Sequence, residues 1–357
     1  MNTFTKTFLT SLALTLGACD PADLDGFGDG ATEFRPGAGG FSLNTSLFGT
    51  FEHSEFDLAG KLHKFSLLTK VCLDPVAVGN NLKPEYLCIT PGVEGNSLSV
   101  VDGQIFGSKW GTKFSGAQFR NSRWSLSFDV DRDGSLESKL EIRIIDAAPN
   151  ATAHGEKYFD YTWYFDKNSA TNLMALKVGL GEGGNKYGEK NAPPELVPVC
   201  EKDVDTGSIA SVVLGDTSID TEVITGIVEK AESSMFIACH SGAAGKAPTW
   251  GYVLHAVGHL GYENVIRVIR ADHCNNGGSF TEPGQKLAVT DSASYSKQYD
   301  SAYKLEGLAS FEKGWLCVLN PRFADLSDIT SACEIKICDE SAKLGDIDSN
   351  IITQLVP

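Results

Sequence analysis

Arg270, Asp272 and His273 put a cation, a carboxylate and an imidazole within four positions, at the foot of a run with helical spacing. Such a set could move a proton in a cleft over the helix end. Two cysteines stand beside histidines, Cys239 before His240 and Cys274 after His273. A thiol next to an imidazole at a helix end has the setting that lowers its pKa and makes a nucleophile. Asp129, Asp131 and Asp133 alternate ahead of Gly134, with Glu137 close by. Alternate carboxylates on a curling chain converge on a hard cation, so calcium is the one candidate cofactor. Counting Asp129 as the first loop position, Leu140 stands where an EF-hand needs a bidentate glutamate. An acidic hairpin exposed to water is the competing reading. His255 and His259, four apart, could share a helical face as zinc ligands do, but the run His255-Ala256-Val257-Gly258-His259 lacks the metalloprotease glutamate. No nucleophile elbow, P-loop or dinucleotide fingerprint occurs.

Whether these cysteines react or brace depends on compartment. Lys6 precedes the apolar run Phe8–Leu16, which is too short to span a bilayer and suits the core of a signal peptide. Leu16-Gly17-Ala18-Cys19 follows and resembles a bacterial lipoprotein signal, in which Cys19 is acylated and becomes the first mature residue. Setting Cys19 aside, the nine cysteines leave Cys72, Cys88, Cys200, Cys239, Cys274, Cys317, Cys333 and Cys338. An even set in an exported chain reads as a disulfide framework, though eight cysteines allow on the order of a hundred pairings. Cys72 with Cys88 is the best local pair, because only a short loop separates them and closing it is worth about 3 kcal/mol. Cys333 with Cys338 would close a small terminal loop, and Cys239 with Cys274 would clamp a strand to a helix end. Asp272 and Arg270 then read more naturally as a helix-end carboxylate on loop amides with an arginine packed beside it.

The formal charge of −16 argues against nucleic acid and against a polybasic lipid contact. The expected partners are the membrane, through the lipid alone, and a protein or a glycan. Residues 1–18 read as the signal and 19–43 as a Gly- and Asp-rich flexible tether. Residues 44–150 have β texture: Phe65–Val71, Ser97–Val101, and a hairpin of Trp124–Val130 with Leu140–Ile144. Residues 151–340 form a second domain. It opens on the alternating aromatic strand Phe159–Phe165, continues through Ser208–Leu214 and Met235–Ala238, and holds the surest helix, with Gly258, Tyr262, Val265, Ile266, Ile269 and His273 on one face. That helix is expected to stop into Asn275-Asn276-Gly277-Gly278. Residues 341–357 read as a peripheral tail. The fold class is α+β and β-rich: an N-terminal β domain, then a disulfide-braced domain with one or two helices.

Three separated pieces together resemble the ADYC domain family, named for an Ala-Asp-Tyr-Cys motif. They are Ala238–Ala243 with Lys246 and Trp250-Gly251-Tyr252; Arg267–Cys274 with the loop to Thr281; and Cys317 through Asn320-Pro321-Arg322. The strand at Tyr161 and Pro198-Val199-Cys200 sit where the family places similar features. His273 stands in place of the family's tyrosine. Two further family cysteines would fall at Ala247 and Val265, and their joint absence is what a pair across two packed helical segments would leave. The resemblance implies an exported protein of predatory or social soil bacteria and supplies no mechanism. Two functions fit: a binding module of the cell envelope, on its surface or periplasmic face, or an exported hydrolase of envelope or extracellular polymer acting through Arg270-Ala271-Asp272-His273. A deep pocket at Asp272 would favour the hydrolase, and a carboxylate capping loop amides would remove most of its support.

Overall fold

The computed structural model describes residues 42–43, 55–64, 66–79, 87–129, 134–153, 155–170, 196–203, 206–220, 227–281 and 284–357. Cys19, the signal region and most of the expected tether lie outside them. The described residues begin with β1 (Ser42–Leu43), β2 (Glu55–Asp57), β3 (Ser66–Cys72) and β4 (Cys88–Ile89). A meander follows, β5 (Asn96–Val101), β6 (Gln104–Lys109) and β7 (Thr112–Ser115). Next come β8 (Arg123–Phe128), β9 (Ser138–Ala151), β10 (Lys157–Asp166), β11 (Leu196–Pro198), β12 (Ala210–Ile219) and β13 (Val228–Cys239). Helices α1 (Ala243–Lys246) and α2 (Leu254–Arg270) precede β14 (Lys286–Asp291), β15 (Lys304–Ser310) and β16 (Gly314–Val318). Helix α3 (Leu326–Ala332), β17 (Lys336–Ile337) and β18 (Ile351–Leu355) complete the chain. One or two helices were expected; three are present among the described residues, and α1 and α3 are short.

The principal sheet has nine strands, ordered β2-β13-β12-β10-β9-β8-β3-β4 with β11 alongside β10. The expected hairpin of Trp124 and Leu140 is there, with Leu126 opposite Leu140 and Trp124 opposite Ile142. Alternation along β10 sends Tyr161, Trp163 and Phe165 into a core with Trp124 and Phe119. Trp163 meets Trp124 edge-on at 5.3 Å between centroids. The β5–β7 meander covers this face with Leu98, Ile105 and Phe114, and the Ile105 N–H donates to the Tyr161 hydroxyl at 2.9 Å.

On the other face, Val212, Leu214, Phe236 and Ala238 meet the buried stripe of α2, Tyr262, Val265, Ile266 and Ile269. A six-stranded sheet, β1-β14-β18-β15-β16-β17, contributes Leu287, Val289, Trp315 and Ile351 to the same core. Two expectations are corrected here. The tail 341–357 is not peripheral, because β18 lies between β14 and β15 and buries Ile351, Ile352 and Thr353. Its β-branched run suits a strand buried on both faces. No break separates residues 44–150 from 151–340 in the sheet either: β9 pairs with β10 from Ala151 opposite Lys157 to Glu141 opposite Asp166. The end of the expected tether is also strand, with Ser42 opposite Leu287.

Candidate functional site

Helix α2 ends at Ala271, which takes the left-handed conformation at φ 52°, ψ 39°. An alanine there costs about 1 kcal/mol of backbone strain, so neighbouring contacts must hold it. Asp272 supplies them. Its Oδ1 accepts the Asn276 N–H at 3.0 Å and its Oδ2 accepts the Gly277 N–H at 2.7 Å. The carboxylate is 0% exposed; burial raises its pKa, while the two amides and the nearby Arg267 and Arg270 pull the other way. Arg270 donates from Nη1 to the Gly277 carbonyl at 2.8 Å, and burial lowers its pKa to about 10. The Asn275 side chain continues the clasp, accepting the Trp315 N–H at 2.9 Å and donating to the Trp315 carbonyl at 3.0 Å. The helix stop therefore begins at Ala271, before the Asn-Gly run expected to provide it.

His273 turns inward. It is 0% exposed, its ring lies 4.4 Å from the Trp315 ring, and its Nε2 stands 3.1 Å from Oε1 of the equally buried Glu306. Against an ionised carboxylate that nitrogen is the donor. Burial lowers the His273 pKa despite Glu306. Burial would raise the pKa of Glu306, yet Arg322 and His273 hold it at about 2. Arg322 donates from Nε to Oε1 at 2.6 Å and from Nη2 to Oε2 at 2.8 Å, the bidentate arrangement that planar guanidinium favours. The same guanidinium reaches the Ile269 and Val268 carbonyls at 3.0 and 2.9 Å, neutralising the C-terminal end of α2.

All eight described cysteines are paired. Cys72–Cys88 forms as expected. The other two expected pairs do not: Cys239 joins Cys200, Cys274 joins Cys333, and Cys317 joins Cys338. Cys239 closes the end of β13 on the loop after β11, which continues the edge of β10 that β12 occupies, while Cys274 anchors α3 to the helix stop. Neither is available as a nucleophile. Four disulfides point to an oxidising, extracytoplasmic location. No helix among the described residues is long and apolar enough to cross a membrane.

The open part of the surface lies elsewhere. Strands β10 and β12 pair only at Tyr161 with Ser211 and Thr162 with Ala210, and then part. The tip of the β5–β6 hairpin, Asp102 and Gly103 at φ 51° and 72°, enters the parting. Val100 packs so close to Gly215 that a Cβ there would stand 2.5 Å from the Val100 carbonyl oxygen. A hollow of about 400 Å³ lies on one side of the tip, against β12 and the start of α2. A second, of about 720 Å³, lies on the other side, between β6 and the β9–β10 hairpin. The two share Val101, Asp102 and Tyr158.

The family model of the ADYC domain matches residues 116–324. The chain belongs to the ADYC domain family. No curated protein and no solved structure matches it. The ADYC motif, here Ala271-Asp272-His273-Cys274, has a structural occupation for each residue: left-handed cap, amide acceptor, donor to Glu306 and half-cystine. The first matched piece is equally structural. Gly251, at φ 108°, lies where a Cβ would come within 2.2 Å of the Tyr295 carbonyl oxygen, and buried Lys246 faces buried Asp203 at 3.5 Å. Ala247 and Val265, the positions at which the resemblance implies two further cysteines, sit in one core cluster on adjacent helical segments.

The remaining candidates separate. His255 and His259 flank Gly258, whose φ of 71° and ψ of 171° break α2, so the regular one-turn spacing of zinc ligands is lost although both line the smaller hollow. His255 lies 3.7 Å from Asp102 and 3.5 Å from Glu156, whereas His259 sits 3.2 Å from the Thr217 hydroxyl. Asp129 is buried and its Oδ2 accepts the Gly134 N–H at 2.9 Å. Asp131 and Asp133 lie outside the described residues, and Glu137 is exposed at the loop's far side. Among the described residues no group of His, Cys, Asp or Glu is placed to hold a metal. Glu306 and the residues around the Asp102-Gly103 tip escaped the sequence reading. An outward-facing phenylalanine at 106, within the alternation Gln104-Ile105-Phe106-Gly107, was the signal for the latter.

Proposed function

We propose that this ADYC-domain protein is a binding module of the cell envelope, anchored by a lipid on Cys19 and presenting the trough around the Asp102-Gly103 tip to its partner. The observation that carries this reading is the contrast between the two sites. Asp272 and His273 are spent on loop amides and on Glu306 with no surface in contact with solvent, whereas the trough is open and lined by side chains from β5, β6, β9, β10, β12, β13 and α2. Concave, largely pre-formed surfaces with a few convergent polar groups are where ligands bind. The anchor is supported by the Leu16-Gly17-Ala18-Cys19 run and by the disulfides, which suit the compartment such a signal serves.

The test uses protein isolated from envelopes. Intact-mass measurement reads acylation of Cys19, and co-sedimentation with envelope polymer reads binding, while soluble fragments are assayed in the same tubes. Binding without fragment release is expected. Release of fragments that Asp272→Asn abolishes in a still-folded protein would replace the binding module by the hydrolase, and an unacylated first cysteine would remove the anchor.

A further inference from the structure

The larger hollow has a chemistry of its own. Phe106 stands 36% exposed on the outer face of the meander, on one wall. The half-buried Phe159 ring lies on the other wall, stacked on Tyr161 at 5.9 Å between centroids. The Gln104 amide lies against that ring, since a Cβ on Gly116 would meet Gln104 Nε2 at 2.6 Å and Phe159 at 2.7 Å. Among the described residues the Gln104 amide and the Lys157 ammonium have no hydrogen-bond partner, and Asn150 donates one of its two amide hydrogens to Asp160 at 2.7 Å. Asp102, 63% exposed at the side chain, adds a carboxylate at the end shared with the smaller hollow. The hollow therefore offers two aromatic surfaces, unused donors of both amide and ammonium type, and acceptors, all at a water-accessible face.

We infer that this hollow, lined by Gln104, Phe106, Asn150, Lys157 and Phe159, is a saccharide-binding site. The inference rests on the binding-module reading and gives it a ligand class. A sugar ring has a hydroxyl-rich edge that both donates and accepts, which matches Gln104, Lys157, Asn150 and Asp102. Its C–H face carries slight positive charge and suits the negative face of an aromatic ring. A purely apolar ligand fits worse, because it would strip water from Gln104 and Lys157 and return no hydrogen bond. An extended peptide also fits worse. Strand β6 is paired on both sides, by β5 and β7. On β9, Pro149 has no N–H, and the Ala151 N–H already bonds the Asn150 Oδ1 at 2.8 Å, so no ladder of donors awaits an added strand.

The test titrates the full-length purified protein, by calorimetry, with hexasaccharides of N-acetylglucosamine, of xylose and of galacturonic acid, and with a deglycosylated envelope protein fraction. At least one hexasaccharide is expected to bind. Phe106→Ala should weaken it roughly ten-fold or more, as for an aromatic anchor, and Gln104→Ala should weaken it to a smaller degree. Phe323→Ala, at an exposed phenylalanine outside the hollow, should leave it unchanged, and thermal midpoints of all three variants should match the parent. If galacturonate is preferred, Lys157→Ala should remove the preference. Binding of no hexasaccharide, or binding indifferent to Phe106 and Gln104, overturns the inference. If the protein fraction alone binds, and does so through Phe106, the binding module stands and its ligand is a protein. If nothing is retained, the binding reading itself falls.

Discussion

Replacing Asp272 by asparagine separates a structural motif from a catalytic one by the sign of its effect on stability. The carboxylate accepts two buried amides, Asn276 N–H and Gly277 N–H, one on each oxygen. Asparagine keeps one acceptor and turns an NH2 toward the other amide, so a buried donor faces a donor. Leaving one buried polar group unsatisfied costs about 1–3 kcal/mol, and the surviving bond loses its charge assistance, roughly another 1 kcal/mol. Relief of the buried charge, whose desolvation raises the Asp272 pKa, offsets part of this. A net loss of about 2 kcal/mol remains, or roughly 3 °C in thermal midpoint at about 2.1 cal/mol/K of unfolding entropy per residue over a unit of roughly 300 residues. The assay is guanidinium unfolding followed by tryptophan fluorescence, with Trp315 beside the clasp as one reporter. Groups held for catalysis behave oppositely, since their removal commonly leaves stability equal or higher. An Asp272→Asn protein as stable as the parent, or more so, would refute the clasp.

Arg322→Ala strips Glu306 of its bidentate partner and the end of α2 of its cation, and should lose about 3–5 kcal/mol in the same unfolding assay. The double change Glu306→Leu with Arg322→Leu should recover part of that, the freed Val268 and Ile269 carbonyls and the unpaired His273 N–H keeping about 2–3 kcal/mol of the loss. The lowered pKa of His273 makes the unfolded chain the stronger proton acceptor, so its contribution to stability is full above pH 6.5 and falls as pH drops below it. His273→Tyr should remove that loss, and the stability difference between variant and parent, read from unfolding midpoints at pH 7, 6 and 5, should move steadily in the variant's favour; a constant difference contradicts the assignment. Glu306, held at about 2, adds a second loss only as pH falls from 4.5 toward 2. Removing Cys274–Cys333, which are 59 positions apart, by alanine at both should cost about 4 kcal/mol in unfolding free energy.

The elements that sequence made legible are those whose signal is local. Alternation gave β8, β9 and β10, because each has one face against a continuous core; periodicity gave α2 for the same reason. The pairing of Cys72 with Cys88 was legible because a short loop leaves few other partners. Cys239 and Cys333 went astray because nearness in sequence is a poor guide once strands settle their own neighbours: β11 lies on β10, and that brings Cys200 within reach of the end of β13. Strand β18 was missed because it follows the last cysteine, although Ile351-Ile352-Thr353 has the β-branched character of an inner strand. Asp272 was readable as a cap, since its acceptors' partners lie four and five residues on. Glu306 was not, since its partners stand 33 positions before it and 16 after.

The His273 position shows how the parts depend on one another. The family's tyrosine and this chain's histidine have a shared ability to lay a ring on Trp315 and offer a hydrogen to Glu306, so the exchange preserves the donor while adding a nitrogen, Nδ1, that finds no hydrogen-bond partner among the described residues. A buried carboxylate tolerates such an exchange only because Arg322 carries most of the charge compensation and is itself fixed by the carbonyls of α2. Helix stop, β15, β16 and the Asn320-Pro321-Arg322 turn are therefore joined through one ionised oxygen pair, and the second and third of the matched pieces, separated in sequence, converge there. Residues so placed hold the α2 side of the sheet rigid. The hairpin tip at Asp102 stands in a loop outside residues 116–324, 3.7 Å from His255 near the start of α2, and a loop carried on a rigid scaffold is where a binding module sets its specificity.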